Sequence, residues 1–343
     1  LVVSRQDLVV ATQGRSFWIL DDLTPLHELV DGVATDPAHL FAPRAASLFG
    51  GGSSSRAPTG AGTNPPAGAM IHYALAEELS DEDELTLAIL DSSGQVLRSF
   101  SSSEEEPRAP NPWASFMPSG AGSRKLPGKA GMNRWVWDIR LPDAELVEDA
   151  VLWGRARGPR VAPGTYRIRL SLGDWSQTRN VELVPDPRMT TTPAEYSEQF
   201  ELARSIWESL SECHRAISRS RDVRTQVEAL VSRLDDDDRA EQIAEAAQLV
   251  VDALTAIEDR LHQSRSEAPQ DTLNYQPQLD NQLLSLQGVV TSADAAPTDG
   301  AVERYQELRG ELDAALAEID AVIETELAAF NALVDDVPAV IVQ

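Results

Sequence analysis

The chain has 343 residues, 42% of them hydrophobic, enough for two or three packed domains. Its formal net charge is −26, from 55 acidic and 29 basic residues, and Lys125 and Lys129 are its only lysines. Such a charge repels nucleic acid and anionic membranes, and no apolar run approaches the roughly 20 residues of a membrane-spanning helix.

Leu8–Thr12 and Ser16–Leu20 read as two strands joined by a turn at Gln13-Gly14-Arg15. A lone hairpin is marginal in water, so this one is expected to pack on something larger. Leu1 opens on strand-like sequence with no basic leader, so further residues are expected upstream. Asp21 and Asp22 follow the hairpin. Neighbours on a strand point to opposite faces, so the pair cannot by itself flank a glycosidic bond, and a strand-end turn or cap is the expected role. Residues 1–30 are taken as one unit and 31–69, rich in Gly, Ser and Pro from residue 50, as linker or loop.

Residues 70–188 carry the alternation of an antiparallel sandwich of Ig-like type, with a long loop at 102–130. Ile71, Tyr73 and Leu75 share a face, as do Leu85, Leu87 and Ile89. Asp91–Gly94 and Gly173-Asp174 are turns. Trp135 and Trp137 fall on one face and are expected to fill the core, while Asn133 is expected to bond a turn backbone.

At Pro185 the period changes. Thr192-Pro193-Ala194-Glu195 is a helix start, with Thr at the N-cap, Pro at the first helical position and Glu two positions later. Apolar stripes follow at Phe200–Leu234, Ile243–Leu261, Leu279–Leu286 and Tyr305–Leu333, the last breached only by Glu326. Residues 189–343 are therefore expected to form an antiparallel helical bundle, and a helix of about 40 residues would run ~60 Å. Cys213 and His214 fall on the first stripe and are read as buried structural residues.

Asp7–Pro25, DLVVATQGRSFWILDDLTP, resembles the closing strands of bacterial sortilin-type or BNR-repeat β-propellers, a family often labelled glycosyl hydrolase; Gln13 stands where that family more often has His. The resemblance continues at Gly131–Asp138 (GMNRWVWD), Pro163–Tyr166 (PGTY), Asp186–Arg188 (DPR) and Ala293–Thr298 (ADAAPT). It implies that Gly14, Arg15, Asp21, Asp22, Asn133, Trp135 and Trp137 serve structure, that most blades lie upstream of Leu1, and that the whole protein is secreted or periplasmic. The overall reading is β then α: a propeller-closing hairpin, the sandwich and the bundle. The function read from it is a non-catalytic C-terminal scaffold that meets its own propeller and a protein or glycan partner, with oligomerisation through the bundle as a further option. The rival reading is the accessory region of a secreted, sialidase-like glycoside hydrolase whose active site lies in the propeller; peptide capture of the sortilin kind rests on the resemblance alone.

No catalytic set is read in these residues, since no Asp-box, phosphate loop or nucleophile–base spacing occurs. The five histidines, His27, His39, His72, His214 and His262, are dispersed and give no metal-ligand pattern, and no cofactor is expected. Asp235–Asp238 lacks the spacing of a Ca²⁺ loop and is read as favouring a helix start. Trp113, Phe116, Trp153 and Trp175 are the binding candidates: loop aromatics stack on sugars or anchor a partner, or else they pin loops to the sandwich.

Overall fold

A computed structural model describes residues 1–4, 6–30, 36–48, 65–106, 125–234 and 238–334. The described residues form two compact units: 1–106, 125–142 and 160–196 make a β-rich unit, and 143–159 with 197–334 make a helical one. The order of β first and α after agrees with the sequence reading.

The β unit opens with a small antiparallel sheet of β1 (Val2–Ser4), β2 (Asp7–Ala11) and β3 (Phe17–Leu20), in that order. The expected hairpin is β2–β3, with Ala11 opposite Phe17 and Gly14 in the turn at φ 81°. β1 is too short to show a period, and its pairing of Val2 with Val9 adds a strand that alternation did not reveal. α1 (Thr24–Val30) follows directly.

Two further strands lie inside the stretch read as linker: β4 (Ala38–Leu40) and β5 (Ala46–Ser47). They are three and two residues long, so no alternation could announce them, and partners in other parts of the chain define them. β4 pairs with β6 (Ala69–Leu75), which pairs with β9 (Gly131–Trp137). β5 runs parallel to β11 (Trp175–Val184) in a five-stranded sheet ordered β5-β11-β10-β7-β8, where β7 is Leu85–Leu90, β8 Val96–Ser101 and β10 Gly164–Leu172. Ile71, Tyr73 and Trp137 of the smaller sheet and Leu87, Ile89, Ile168 and Leu170 of the larger are fully buried. Side chains of the two sheets meet at Trp137–Tyr166 (5.7 Å between ring centres) and Phe100–Trp135 (5.1 Å). Gly68 permits a close approach before β6: it sits at φ 133°, and a Cβ there would strike the Trp137 carbonyl.

Trp137 fills the core as expected, and its indole N–H donates to the Arg140 carbonyl at 3.0 Å. Trp135 does not join it there; it is half-buried, because β9 is the outer strand of its sheet and Phe100 covers only part of the ring. Asn133 performs its expected role, donating from its amide to the carbonyls of Lys129 (2.7 Å) and Gly131 (3.1 Å).

The helical unit holds most of α2 (Pro193–Arg233), then α3 (Ala240–Leu261), a 3₁₀ turn (Pro269–Leu273), α4 (Leu279–Val290), α5 (Asp299–Val322), a π turn (Ile323–Leu327) and α6 (Ala328–Leu333). α2 starts on a capping box: the Glu195 N–H donates to Thr192 Oγ1 (3.3 Å) and the Thr192 N–H to Glu195 Oε2 (2.7 Å). The stripes merge into one core that includes Leu210 and Val227 of α2, Val250 and Leu254 of α3, Leu283 of α4, Leu308 and Ile319 of α5 and Phe330 of α6. Cys213 lies in that core, and burial pushes its thiol up, so it packs as a small apolar residue.

Two features depart from the sequence reading. Residues 143–159, counted there with the sandwich, belong to the helical unit and form neither helix nor strand; Ala144, Val147, Ala150, Leu152 and Ala156 enter its core. Glu326 does not breach the stripe. The π turn spaces Val322 and Leu327 five apart, so Leu327 takes the buried place and Glu326 stays partly exposed.

Candidate functional site

The β1–β2–β3 sheet presents the largest apolar surface described in the β unit. Phe17, Trp18, Ile19 and Leu20 are 74%, 64%, 59% and 51% exposed. Consecutive strand residues face opposite sides, so both faces of β3 are uncovered. Val2 and Val3 of β1 are exposed too. β1 and β3 are the outer strands of the sheet, so each leaves one row of backbone groups without a strand partner among the described residues.

Polar contacts tie this sheet and α1 to the strands behind. Asp7 Oδ1 accepts from the Asp22 N–H (2.9 Å) and from Arg44 (2.6 Å). Asp22, at φ 61°, opens α1 by accepting the Thr24 N–H (3.1 Å) and hydroxyl (2.5 Å) on Oδ1. Asp22 thus closes the turn between β3 and α1, the strand-end turn of the sequence reading. Its other oxygen is buried 3.5 Å from His72 Nδ1 of β6, too long for a hydrogen bond. Burial holds His72 below its ordinary pKa, with the Asp22 charge opposing. One helical turn on, Glu28 accepts the Ala42 N–H (2.6 Å) and lies 3.1 Å from His39 and 3.4 Å from Arg179 of β11. These contacts join the sheet and α1 to the rest of the β unit.

The helical unit holds a different constellation, a buried His–Asp–His array. Asp280, near the start of α4, is fully buried. Its Oδ2 lies 2.6 Å from Nδ1 of His262, the C-cap of α3, and its Oδ1 accepts the Asn281 N–H at 2.6 Å. His214 of α2 stands on the other side, Nε2 to Asp280 Oδ2 3.5 Å, a charge contact too long to satisfy the ring nitrogen. Beside the array, Arg221 donates to Glu258 (2.7 Å) and Asp149 (2.6 Å), and Arg224 also pairs with Glu258. Burial pulls His214 down to about 4. Burial acts the same way on His262, but the hydrogen bond and charge of Asp280 outweigh it and hold that imidazole above its ordinary value.

These two shifts have opposite consequences. Folded His214 refuses a proton that the unfolded chain takes up below pH 6.5, so stability falls by ~3 kcal/mol as pH drops from 6.5 to about 4. Folded His262 keeps a proton that the unfolded chain gives up above pH 6.5, so its contribution is complete below 6.5 and is lost as pH rises through the raised value. Asp149, lowered by Arg221 against the pull of burial, acts in a separate window, losing its contribution only at and below its ordinary 3.8. Urea unfolding followed at the helical circular-dichroism band is expected to show greatest stability near pH 6.5, with His214→Gln flattening the acid limb and His262→Gln the alkaline one. A monotonic profile would contradict this assignment.

Of the aromatic candidates, two lie among the described residues, one in each unit. Trp153 is exposed in the helical unit, its N–H donating to Asn281 Oδ1 (2.7 Å), while Trp175 is half-buried beside the Gly173-Asp174 turn of the β unit. Trp113 and Phe116 lie outside the described residues, as does most of Asp235–Asp238. Gly14 and Arg15 are exposed in the hairpin turn, and Asp21 lies between β3 and Asp22. A half-open cleft of about 380 Å³ collects both lysines with Glu78, Asp81 and Asp83, and the Ser80–Asp83 bond in its wall closes a turn. Among the described residues no group of three His, Cys, Asp or Glu side chains could hold a metal ion, and no helix is long and apolar enough to cross a membrane. The His–Asp–His array was not legible as a unit, since its members are separated by 48 and 18 positions; His214 on the α2 stripe and His262 among the dispersed histidines were its only traces. No family model, curated protein or solved structure matches the chain.

Proposed function

We propose that this chain is the non-catalytic scaffold and interaction region of a secreted β-propeller protein, and that β1–β2–β3 packs as part of the closing blade against the propeller's other blades. The observation that carries this reading is β3, whose four consecutive apolar residues are all more than half exposed. A strand of that composition is stable in water only if another layer covers it, and its outer edge asks for a further strand. The Asp7, Asp22 and Glu28 contacts supply the rigid joint such a role needs, and the motif Asp7–Pro25 resembles propeller-closing strands. In this reading the two facing sheets behind act as an Ig-like sandwich and the helices as a bundle, and the partner met at the sheet is protein rather than glycan.

Trp18→Asp separates the role of this surface from the chain's own stability. In this chain alone the substitution is expected to change unfolding by less than ~0.5 kcal/mol, because the ring touches little. In a protein that also carries the blades it is expected to loosen the propeller. Hydrogen exchange read by mass spectrometry should then show β3 amides protected at least about 100-fold more with blades than without. Equal exchange of β3 in the two proteins would remove the proposal.

A further inference from the structure

The charge of the helical unit is not spread evenly over its helices. α2 carries seven acidic and six basic residues apart from His214, whereas α3 carries five against one and α5 seven against two. α3 and α5 pack on each other, so the acidic surplus gathers on neighbouring helices. Part of it is met by contact. Arg219 of α2 reaches Asp320 of α5 (2.9 Å), and Arg221 of α2 reaches the buried Glu258 of α3 (2.7 Å). Arg260 of α3 pairs with Glu318 of α5, and Arg309 of α5 with its own Asp313 and with Glu212 of α2. Glu241, Glu245, Asp252 and Asp259 of α3 and Glu303 of α5 are left over: all are exposed, and none has a cation partner among the described residues. No basic residue follows Arg309 as far as Leu333.

We propose that this unit holds its fold best in concentrated salt, and that its α3–α5 side loosens when the ionic strength drops. Distance decides the sign. The screening length of monovalent salt falls from ~30 Å at 0.01 M to ~3 Å at 1 M. An ion pair in contact, such as Arg219–Asp320, lies within even the shortest of these lengths and keeps much of its attraction. The leftover acids act over longer gaps. Glu241 and Glu245 stand one turn apart, ~6 Å, and Asp252 and Asp259 two turns apart, ~10 Å, so salt quenches their repulsion. The repulsion opposes the compact state, because unfolding lets the same charges separate. The exposed pairs contribute little at any salt concentration, so their partial screening does not reverse the balance. The net charge of −26 over the whole chain acts in the same direction.

Thermal unfolding of the whole chain at pH 7, followed at the helical circular-dichroism band, tests this. The midpoint is expected to rise by at least about 5 °C between 0.01 M and 1 M NaCl. A flat or falling midpoint overturns the proposal. The triple variant Glu245→Gln, Asp259→Asn, Glu303→Gln removes three leftover charges and breaks no ion pair. It is expected to melt above the native chain in 0.01 M NaCl and to gain at most about half as much from added salt. A full gain in the variant would assign the effect to the general action of salt on apolar surface, and the proposal would fall. Hydrogen exchange at the two salt concentrations locates the response and stands even if the variant fails to fold. Peptides of α3 and α5 should lose at least about tenfold of their protection at low salt while β6 and β10 keep theirs. Equal losses in β6 and β10, or none in α3 and α5, would count against the α3–α5 side as the seat of the response.

Discussion

Asp280→Ala is expected to cost the helical unit ~3–5 kcal/mol, because it strands a buried cation instead of merely deleting a contact. His262 sits 2.6 Å from the lost carboxylate and is itself buried, and the Asn281 N–H loses its acceptor in the same step. The measurement is a urea titration at pH 6.5, analysed as two transitions because the chain has two compact units. Only the transition carrying the helical signal should move. The double change Asp280→Ala with His262→Leu should recover much of the loss, since a buried ion pair replaced whole by apolar groups is often nearly neutral. A cost below about 1 kcal/mol for the single variant would mean that His262 sheds its proton and adapts, and that the array contributes little to the fold.

Arg98→Ala is expected to be comparably damaging in the β unit, again ~3–5 kcal/mol. The guanidinium of Arg98 on β8 is almost wholly buried. Its Nε and Nη2 donate to the two oxygens of Glu106, each at 2.6 Å, and Nη1 reaches Asp138 (2.7 Å) and the carbonyls of Arg140 (3.0 Å) and Leu141 (3.3 Å). The group also lies 4.9 Å from the Phe100 ring centre. Truncation removes the fork that meets both oxygens of the largely buried Glu106 side chain. Arg98→Lys should recover only a minor part, because an ammonium is a single point with three donors and cannot serve five acceptors. Tryptophan fluorescence during urea unfolding reports the change through Trp135 and Trp137 nearby; equal stability of Arg98→Lys and the native chain would show that charge alone suffices there.

The parts of this molecule that declared themselves in sequence are those governed by local chemistry. Thr192, Pro193 and Glu195 mark the start of α2 because capping is settled within one turn. Asp22 could be read as a strand-end turn, and Asn133 as a bond to its own turn, for the same reason. β4 and β5 were hidden because strands of three and two residues exist only through partners 30 to 140 positions away. The segment 143–159 was hidden because its apolar residues follow neither a period of two nor of 3.6. The exposure of β3 could not be read at all: alternation and apolar content describe a strand that should be covered, and only the structure shows that these residues do not cover it. The His–Asp–His array failed for a further reason, since each member looks like an isolated imperfection in a stripe until three elements bring them together.

The π turn at Ile323–Leu327 accommodates one residue more than a regular helical turn would hold. One extra residue in a helix ordinarily swings everything beyond it by about 100°, which would have turned Phe330 out of the core and into solvent. Widening a single turn absorbs that surplus on the spot, and Phe330 and Val334 stay buried on the side they share with Leu308 and Ile319. The last helix is therefore one position longer than its buried face requires, and packing, not the spacing of the backbone ladder, decides where the chain comes back into phase.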